Sequence, residues 1–330
     1  EDVIVLSGLD DNALAKKGVL MDLSDIVTPM EENGELLQAI VDGEKAADGK
    51  QQILPVRFAL LLLLSKEKRA SEMTDLAALA KAAEQTDGSL LGTFTGEDLV
   101  ETFAPYFMPD IIKDKQLDTE KLRTVLQELQ TIAAHCDMVE KYKKGERASN
   151  EWDLPSAMQA VLCQISGFND AMFDLAIINL VKGDYTSFEN AYIPTVEIGV
   201  NANTKQADLA KEFAAFVMSR EVQDGDFYDG FPVNKESLHM QVSLDRSDYA
   251  AYTTIEGADG QEIGLDIEPI KAADADKLEA LCDSLSKKTV KDAKVLEELK
   301  KSVPDYLLGR QSLDDTISKI QDGVKIYLAE

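Results

Sequence analysis

The stretch at residues 53–64, Ile-Leu-Pro-Val-Arg-Phe-Ala-Leu-Leu-Leu-Leu-Leu, constrains this chain more than any other. It falls well short of the ~20 apolar residues that a membrane-spanning helix requires, and Pro55 and Arg57 interrupt it. The turn dipeptide Asp48-Gly49 leads into it, so it reads as a strand. Pro55 cannot donate to a ladder and therefore marks a strand start or an edge. A chain of 330 residues can build a sizeable core around such a strand, and its length predicts two domains.

Charge narrows the partners. Lys and Arg number 34 against 61 Asp and Glu, a difference of −27. Such an excess keeps the chain soluble and opposes nucleic acid and anionic membranes, because phosphate binding needs a basic surface.

Val3, Ile4, Val5 and Leu6 form a continuous apolar run ended by Ser7-Gly8, which predicts a central parallel strand. Residues 10–17 have helical character closed by Gly18. Asn33-Gly34 and Asp42-Gly43 are turn signals. Residues 71–118 read as helical, and 118–144 as one long helix capped by Asp118 and ended by Gly145. Residues 196–200 are strand-like, and 208–218 form an amphipathic helix through Leu209, Phe213, Phe216 and Val217. The end of the chain, 272–330, predicts three helices separated by Pro304 and Gly309. Ser312 and Asp315 make a capping box for the last. Strands mix with helices in the first 60 residues and near 195–235, and helices dominate elsewhere. This distribution predicts an α/β lobe of discontinuous segments beside a helix-rich lobe, with a ligand cleft and a hinge between them.

Cys136, Cys163 and Cys282 lie in apolar stripes or runs and are expected as buried free thiols. No CxxC, HExxH, GxSxG, P-loop or D-x-D-x-D-G loop occurs, and His135 and His239 stand in no motif. The expectation is a binding protein, not an enzyme, with no cofactor and no metal.

Several segments, in order, resemble one family. Asp2-Val3-Ile4-Val5 through Gly18-Val19-Leu20-Met21-Asp22-Leu23, Asp48-Gly49-Lys50 leading to Leu54-Pro55-Val56, and Ile198-Gly199-Val200-Asn201-Ala202-Asn203 belong to this series. So do Ala210-Lys211-Glu212-Phe213, Ser219-Arg220-Glu221-Val222-Gln223, Gly230-Phe231-Pro232-Val233-Asn234-Lys235 and Tyr327-Leu328-Ala329-Glu330. Together they resemble the family 1, maltose-binding-like extracellular solute-binding proteins. The resemblance implies a type II periplasmic-binding-protein fold, in which two lobes close on a solute, most often an oligosaccharide, and deliver it to the membrane subunits of an ABC importer. It implies a monomer that is extracellular as a tethered lipoprotein, or periplasmic. Family members carry roughly 70 residues before the first strand matched here, about two βα units, so these units are expected to be missing. The expected lobes are 1–56 with 198–232, α/β, and 57–197 with 233–330, helix-rich. A surface adhesion or sensor protein on the same fold is the alternative, and a glycan hydrolase a further one.

The candidate ligand-binding residues are Ser7, Asp10, Asp11, Arg57, Trp152, Tyr192, Tyr228, Asp229 and Phe231. The loop holding Ser7, Asp10 and Asp11 follows the first strand, where α/β sheets bind ligands, and the two aspartates serve equally well as helix caps. Arg57 is a lone charge in an apolar run and needs a partner, either in the ligand or inside the protein. Trp152 lies in an irregular polar segment and suits stacking on a sugar ring or packing under a loop. Tyr192 precedes Pro194 at a crossover. Tyr228, Asp229 and Phe231 surround Gly230, which lets backbone approach closely.

Overall fold

The computed structural model describes residues 2–6, 9, 14–15, 17–46, 48–113, 115–225, 229–244, 248 and 250–329. The apolar run is its central element, strand β2 (Leu54–Ser65), following β1 (Val3–Val5), α1 (Ser24–Glu32) and α2 (Gln38–Gly43). All twelve residues of β2 are buried. Its side chains alternate between two cores, as the pleat of a strand requires. Leu54, Val56, Phe58, Leu60, Leu62 and Leu64 belong to the first, Leu61 and Leu63 to the second.

The second core is helical. It gathers α3 (Leu76–Glu84), α4 (Gly96–Ile111) and α5 (Thr119–Ala134), with the short strands β3 (Thr93–Thr95), β4 (Ile112–Lys113), β5 (Gln116–Leu117) and β6 (Asp137–Val139) between and after them. Side-chain caps fix the starts: Asp75 accepts from the Ala78 amide at 2.8 Å, and Asp118 from Lys121 at 2.9 Å, as expected for Asp118. The helix from Asp118 is shorter than its pattern predicts. It stops at Ala134 because the chain turns to pair Asp137 with Thr93 in a parallel β6–β3 ladder. Cys136 therefore leaves the helix stripe and is half-buried, whereas Cys163 and Cys282 are buried and free as expected.

A main sheet then assembles in the order β1-β8-β2-β7 from β7 (Ala160–Ile165) and, beyond α6 (Phe168–Val181), the long β8 (Asp184–Val200). The next elements are α7 (Ala207–Met218), α8 (Arg220–Gln223), β9 (Phe231–Pro232), α9 (Lys235–Val242), and a hairpin of β10 (Ala251–Glu256) and β11 (Glu262–Ile267). After α10 (Ala272–Asp283), the strand β12 (Lys287–Lys288) joins β8 in parallel, and β9 joins β2. Helices α11 (Ala293–Leu307) and α12 (Leu313–Ala329) close the second core. The Ser312 hydroxyl caps the last helix, accepting from the Asp315 amide at 3.1 Å; the Asp315 carboxylate accepts from that hydroxyl at 2.7 Å, a side-chain contact in place of the reciprocal backbone bond of the expected box. Pro304 does not separate two helices. It lies inside α11, against Gly96 at the start of α4, where an added Cβ would come within 2.7 Å of the proline ring.

Two expectations about strands and stripes change. β1 is not a central parallel strand; it pairs antiparallel with β8, Val3 opposite Val200, at the end of the sheet order. The helix expected at 208–218 is α7, but Leu209, Phe213 and Phe216 of its apolar stripe are exposed, and it buries the small side Ala210, Ala214 and Met218 instead.

Candidate functional site

Several chain passes meet around Arg57 and Phe58. On one side β2 pairs with β8, Arg57 opposite Val196 and Phe58 opposite Pro194; on the other it pairs with β9, Arg57 opposite Pro232 and Phe58 opposite Phe231. Register shifts between Pro55 and Phe58 bend the strand there.

Two polar clusters occupy this place. In the first, Arg57 is 1% exposed, and its Nη atoms donate to the carbonyls of Gln223 at 3.1 Å, Val222 at 3.0 Å and Gly225 at 3.1 Å. The cation thus sits on the carbonyl end of α8, where the backbone dipoles favour it. Its Nε lies 3.4 Å from Oδ1 of Asp229. Gln223, wholly buried, joins this cluster from below: its Nε2 donates to the carbonyls of Val56 at 3.3 Å and Val217 at 3.1 Å, and its Oε1 accepts from the amides of Val233 at 3.0 Å and Asn234 at 3.4 Å. One side chain therefore ties together the motif ending in Gln223 and the motif that holds Val233 and Asn234. Gly230 is required here, with φ at +144° and room for no Cβ, since one would come 2.4 Å from Thr195 Oγ1 and 2.8 Å from Arg57 Cβ.

The second cluster is anionic around one ammonium. Lys288 of β12 bonds Glu44, at the end of α2, and Glu197 of β8, the latter at 2.9 Å. The Tyr192 hydroxyl donates to the Ile40 carbonyl at 3.1 Å and lies 3.2 Å from Oε1 of Glu44. Burial pushes the Glu44 carboxyl up to about 8; Lys288 opposes the rise and Glu197 adds to it. Burial also raises the Tyr192 phenol, with Glu44 adding to the rise. Lys287, pointing to the opposite face of β12, pairs with Asp110 at 2.9 Å and Glu189 at 3.3 Å.

The candidate residues thus fare differently. Ser7, Asp10, Asp11 and Tyr228 lie outside the described residues. Arg57, Tyr192 and Phe231, candidates for ligand contact, are buried. Arg57 and Tyr192 use their polar atoms on the protein itself, and Phe231 is wedged between Phe58 at 5.7 Å and Phe168 at 5.2 Å. Asp229 keeps an exposed face with a 41% accessible side chain, even as one oxygen meets Arg57. Trp152 is half-buried against the first core and edge-on to the exposed Phe173 at 5.9 Å. Glu44, Glu197, Gln223 and Lys288 were not among the candidates. Glu197, alone between Val196 and Ile198, carries the same lone-charge signal as Arg57; Glu44 and Lys288 sit in polar surroundings that give none.

An open surface groove of about 650 Å³, lined by Glu97, Leu296, Lys300, Lys301 and Pro304 among others, lies between the start of α4 and α11, away from this junction. Among the described residues no cluster suits a metal ion, and no helix is long and apolar enough to cross a membrane.

No family model and no curated protein matches the chain. Solved structures do match over nearly its whole length. The sugar-binding protein MalE of Xanthomonas citri superposes with a TM-score of 0.64 at 13% identity, covering 99% of this chain and 84% of its own. A sugar transporter component of Rhizobium etli in an open conformation gives 0.60 at 15%, covering 98% and 84%. UgpB of Mycobacterium tuberculosis, in complex with glycerophosphocholine, gives 0.55 at 12%, covering 99% and 84%. The architecture is the two-lobe periplasmic-binding-protein fold.

Proposed function

Starting from that two-lobe fold, we propose that the protein captures a small extracellular solute between its lobes and passes it to the membrane subunits of an ABC importer. The observation that carries this reading is the convergence of β2, β8 and β9 at Arg57 and Phe58, a multiply crossed junction of the kind about which lobes close. The fold supports solute capture; the sugar class comes from the names of the similar structures, and glycerophosphocholine in one of them shows that the fold accepts other cargo. An oligosaccharide is our first candidate. Trp152 and Asp229 are its proposed contacts among the described residues, and Ser7, Asp10, Asp11 and Tyr228 are proposed from the sequence alone. The reading places the protein outside the cytoplasmic membrane, as a lipoprotein or in a periplasm, acting as a monomer without a chemical step.

The burial of Arg57, Tyr192 and Phe231 favours a second reading, in which the same fold serves adhesion or sensing through a protein partner. One screen separates the two. Sugars, glycerophosphodiesters, amino acids and peptides are tested for a rise in melting temperature and for a change in the emission of Trp152, the single tryptophan. A solute at a hundred times its Kd stabilises by about 2.7 kcal/mol, roughly 4 °C for a chain of this length. A flat response across the whole panel would overturn solute capture.

A further inference from the structure

Trp152 and Phe173 meet edge to face, their ring centroids 5.9 Å apart at an interplanar angle of 63°. Trp152 stands on the short helical turn Glu151–Asp153 and Phe173 on α6, and both elements are fixed without help from a ligand. Asn150 caps the turn: its Oδ1 accepts from the Trp152 amide at 3.2 Å, and its own amide donates to Asp153 Oδ2 at 3.0 Å. At the start of α6, Asp170 Oδ2 accepts from the Ser166 amide at 2.9 Å. Met172 and Asp174, on either side of Phe173, are buried, whereas Phe173 stays 37% exposed. An aromatic pair on two capped elements thus keeps part of its surface open. We propose that this pair, with the carboxylates of Glu151 and Asp170, binds an organic cation, so that the captured solute carries a substituted ammonium group. The inference rests on the reading of solute capture and names the chemistry of that solute at Trp152.

The charges around the rings decide the class. Glu151 directly precedes Trp152, and Asp170 stands three residues before Phe173 and so shares its helix face. Burial raises the carboxyl of Asp174 most, and Glu151 and then Asp170 add to the rise, so both carboxylates lie close to one point. Among the described residues neither Glu151 nor Asp170 enters an ion pair. The bases of the adjoining segments are engaged elsewhere: Arg147 on Asp153 at 2.8 Å and on the Ala148 carbonyl at 2.9 Å, Lys66 on the Pro155 carbonyl at 3.5 Å. A sugar hydroxyl both donates and accepts, but the charged groups beside these rings only accept. An ammonium group needs no donor. It is drawn to the negative faces of aromatic rings, and carboxylates that hold no cation supply the compensating charge. The net charge of −27 adds long-range attraction for the same class of solute.

Choline and dimethylbutanol, its uncharged isostere with carbon in place of nitrogen, form the test pair. Each is titrated into the 330-residue chain at constant ionic strength, and the emission of Trp152, the single tryptophan, is followed. Choline is expected to change the emission saturably and to bind about tenfold more tightly than dimethylbutanol. Glu151→Gln and Phe173→Leu, each confirmed as folded by circular dichroism, are each expected to weaken choline about fivefold. Equal affinity for the two probes, a response that does not saturate, or choline binding that both folded variants retain in full would overturn the cation site. A neutral sugar that moves the emission and the melting temperature where choline moves neither also overturns it, and leaves solute capture standing. Saturable, variant-sensitive choline binding with no fall in the radius of gyration by small-angle scattering upholds the cation site and counts against capture by closing lobes.

Discussion

Gln223 satisfies four backbone groups with one amide: two carbonyls, of Val56 and Val217, and two amides, of Val233 and Asn234. Replacing it with Leu removes all four hydrogen bonds from a buried site. Each such loss costs about 1–3 kcal/mol, reduced where the site relaxes, so Gln223→Leu is expected to lose about 3 kcal/mol or more of stability in urea unfolding. An unchanged midpoint would show that water replaces the amide. Gly230→Ala is a second test at this scale: its φ of +144° and its contacts with Thr195 and Arg57 leave no room, and a loss of about 2 kcal/mol is expected by the same measurement. These positions explain why the motifs 219–223 and 230–235 were legible in the sequence. They are stitching residues, and backbone satisfaction imposes tighter local patterns than a solute does. The lone charge Arg57 announced the need for a partner but not its identity, since Gln223 lies 166 residues away.

Among the elements, the capped helices were the easiest to read, because a cap and a stripe are local. The misreadings arose where pairing between distant segments overrides local pattern. β8 shows this best. Only its apolar end at residues 196–200 looks like a strand, yet it runs from Asp184, with left-handed Glu189 and Asn190 accommodated in a bulge that skips from Ser187 to Tyr192 between Leu62 and Leu60 of β2. Helix α6 carries a prediction of its own. Its Asp174 is buried beside β7, where desolvation, with Glu151 adding to it, lifts the carboxyl to about 7. The folded protein holds this proton where the unfolded chain releases it. The stabilising effect is therefore complete below the ordinary carboxylate range, shrinks as pH rises, and is gone above about 7. The melting temperature is expected to fall between pH 5 and 8, and Asp174→Asn to flatten the acidic part of that fall. Glu44 acts with the same sign up to about pH 8, so the double variant with Glu44→Gln should be flatter still. A wild-type melting temperature that climbs over this range would contradict both assignments.

At the scale of the whole molecule, the question is whether two lobes behave as two units. Strand β2 argues that they do not unfold separately, because neighbouring leucines on it serve different cores: Leu62 the first, Leu61 and Leu63 the second. The first core itself draws on both segments expected as lobes, from Leu23 and Val27 to Leu278 and Cys282. Loss of either core strips one face of the same strand, so the two should melt together. Leu62→Ala and Leu63→Ala each open a cavity under a fully buried side chain, and each is expected to cost about 2–5 kcal/mol. For a chain of this length that is roughly 3–7 °C. The informative part is the shape of the calorimetric trace. Coupling through β2 requires one transition that moves as a whole in both variants; two resolved transitions, with each variant shifting only one of them, would mean that the strand is shared in space but not in stability.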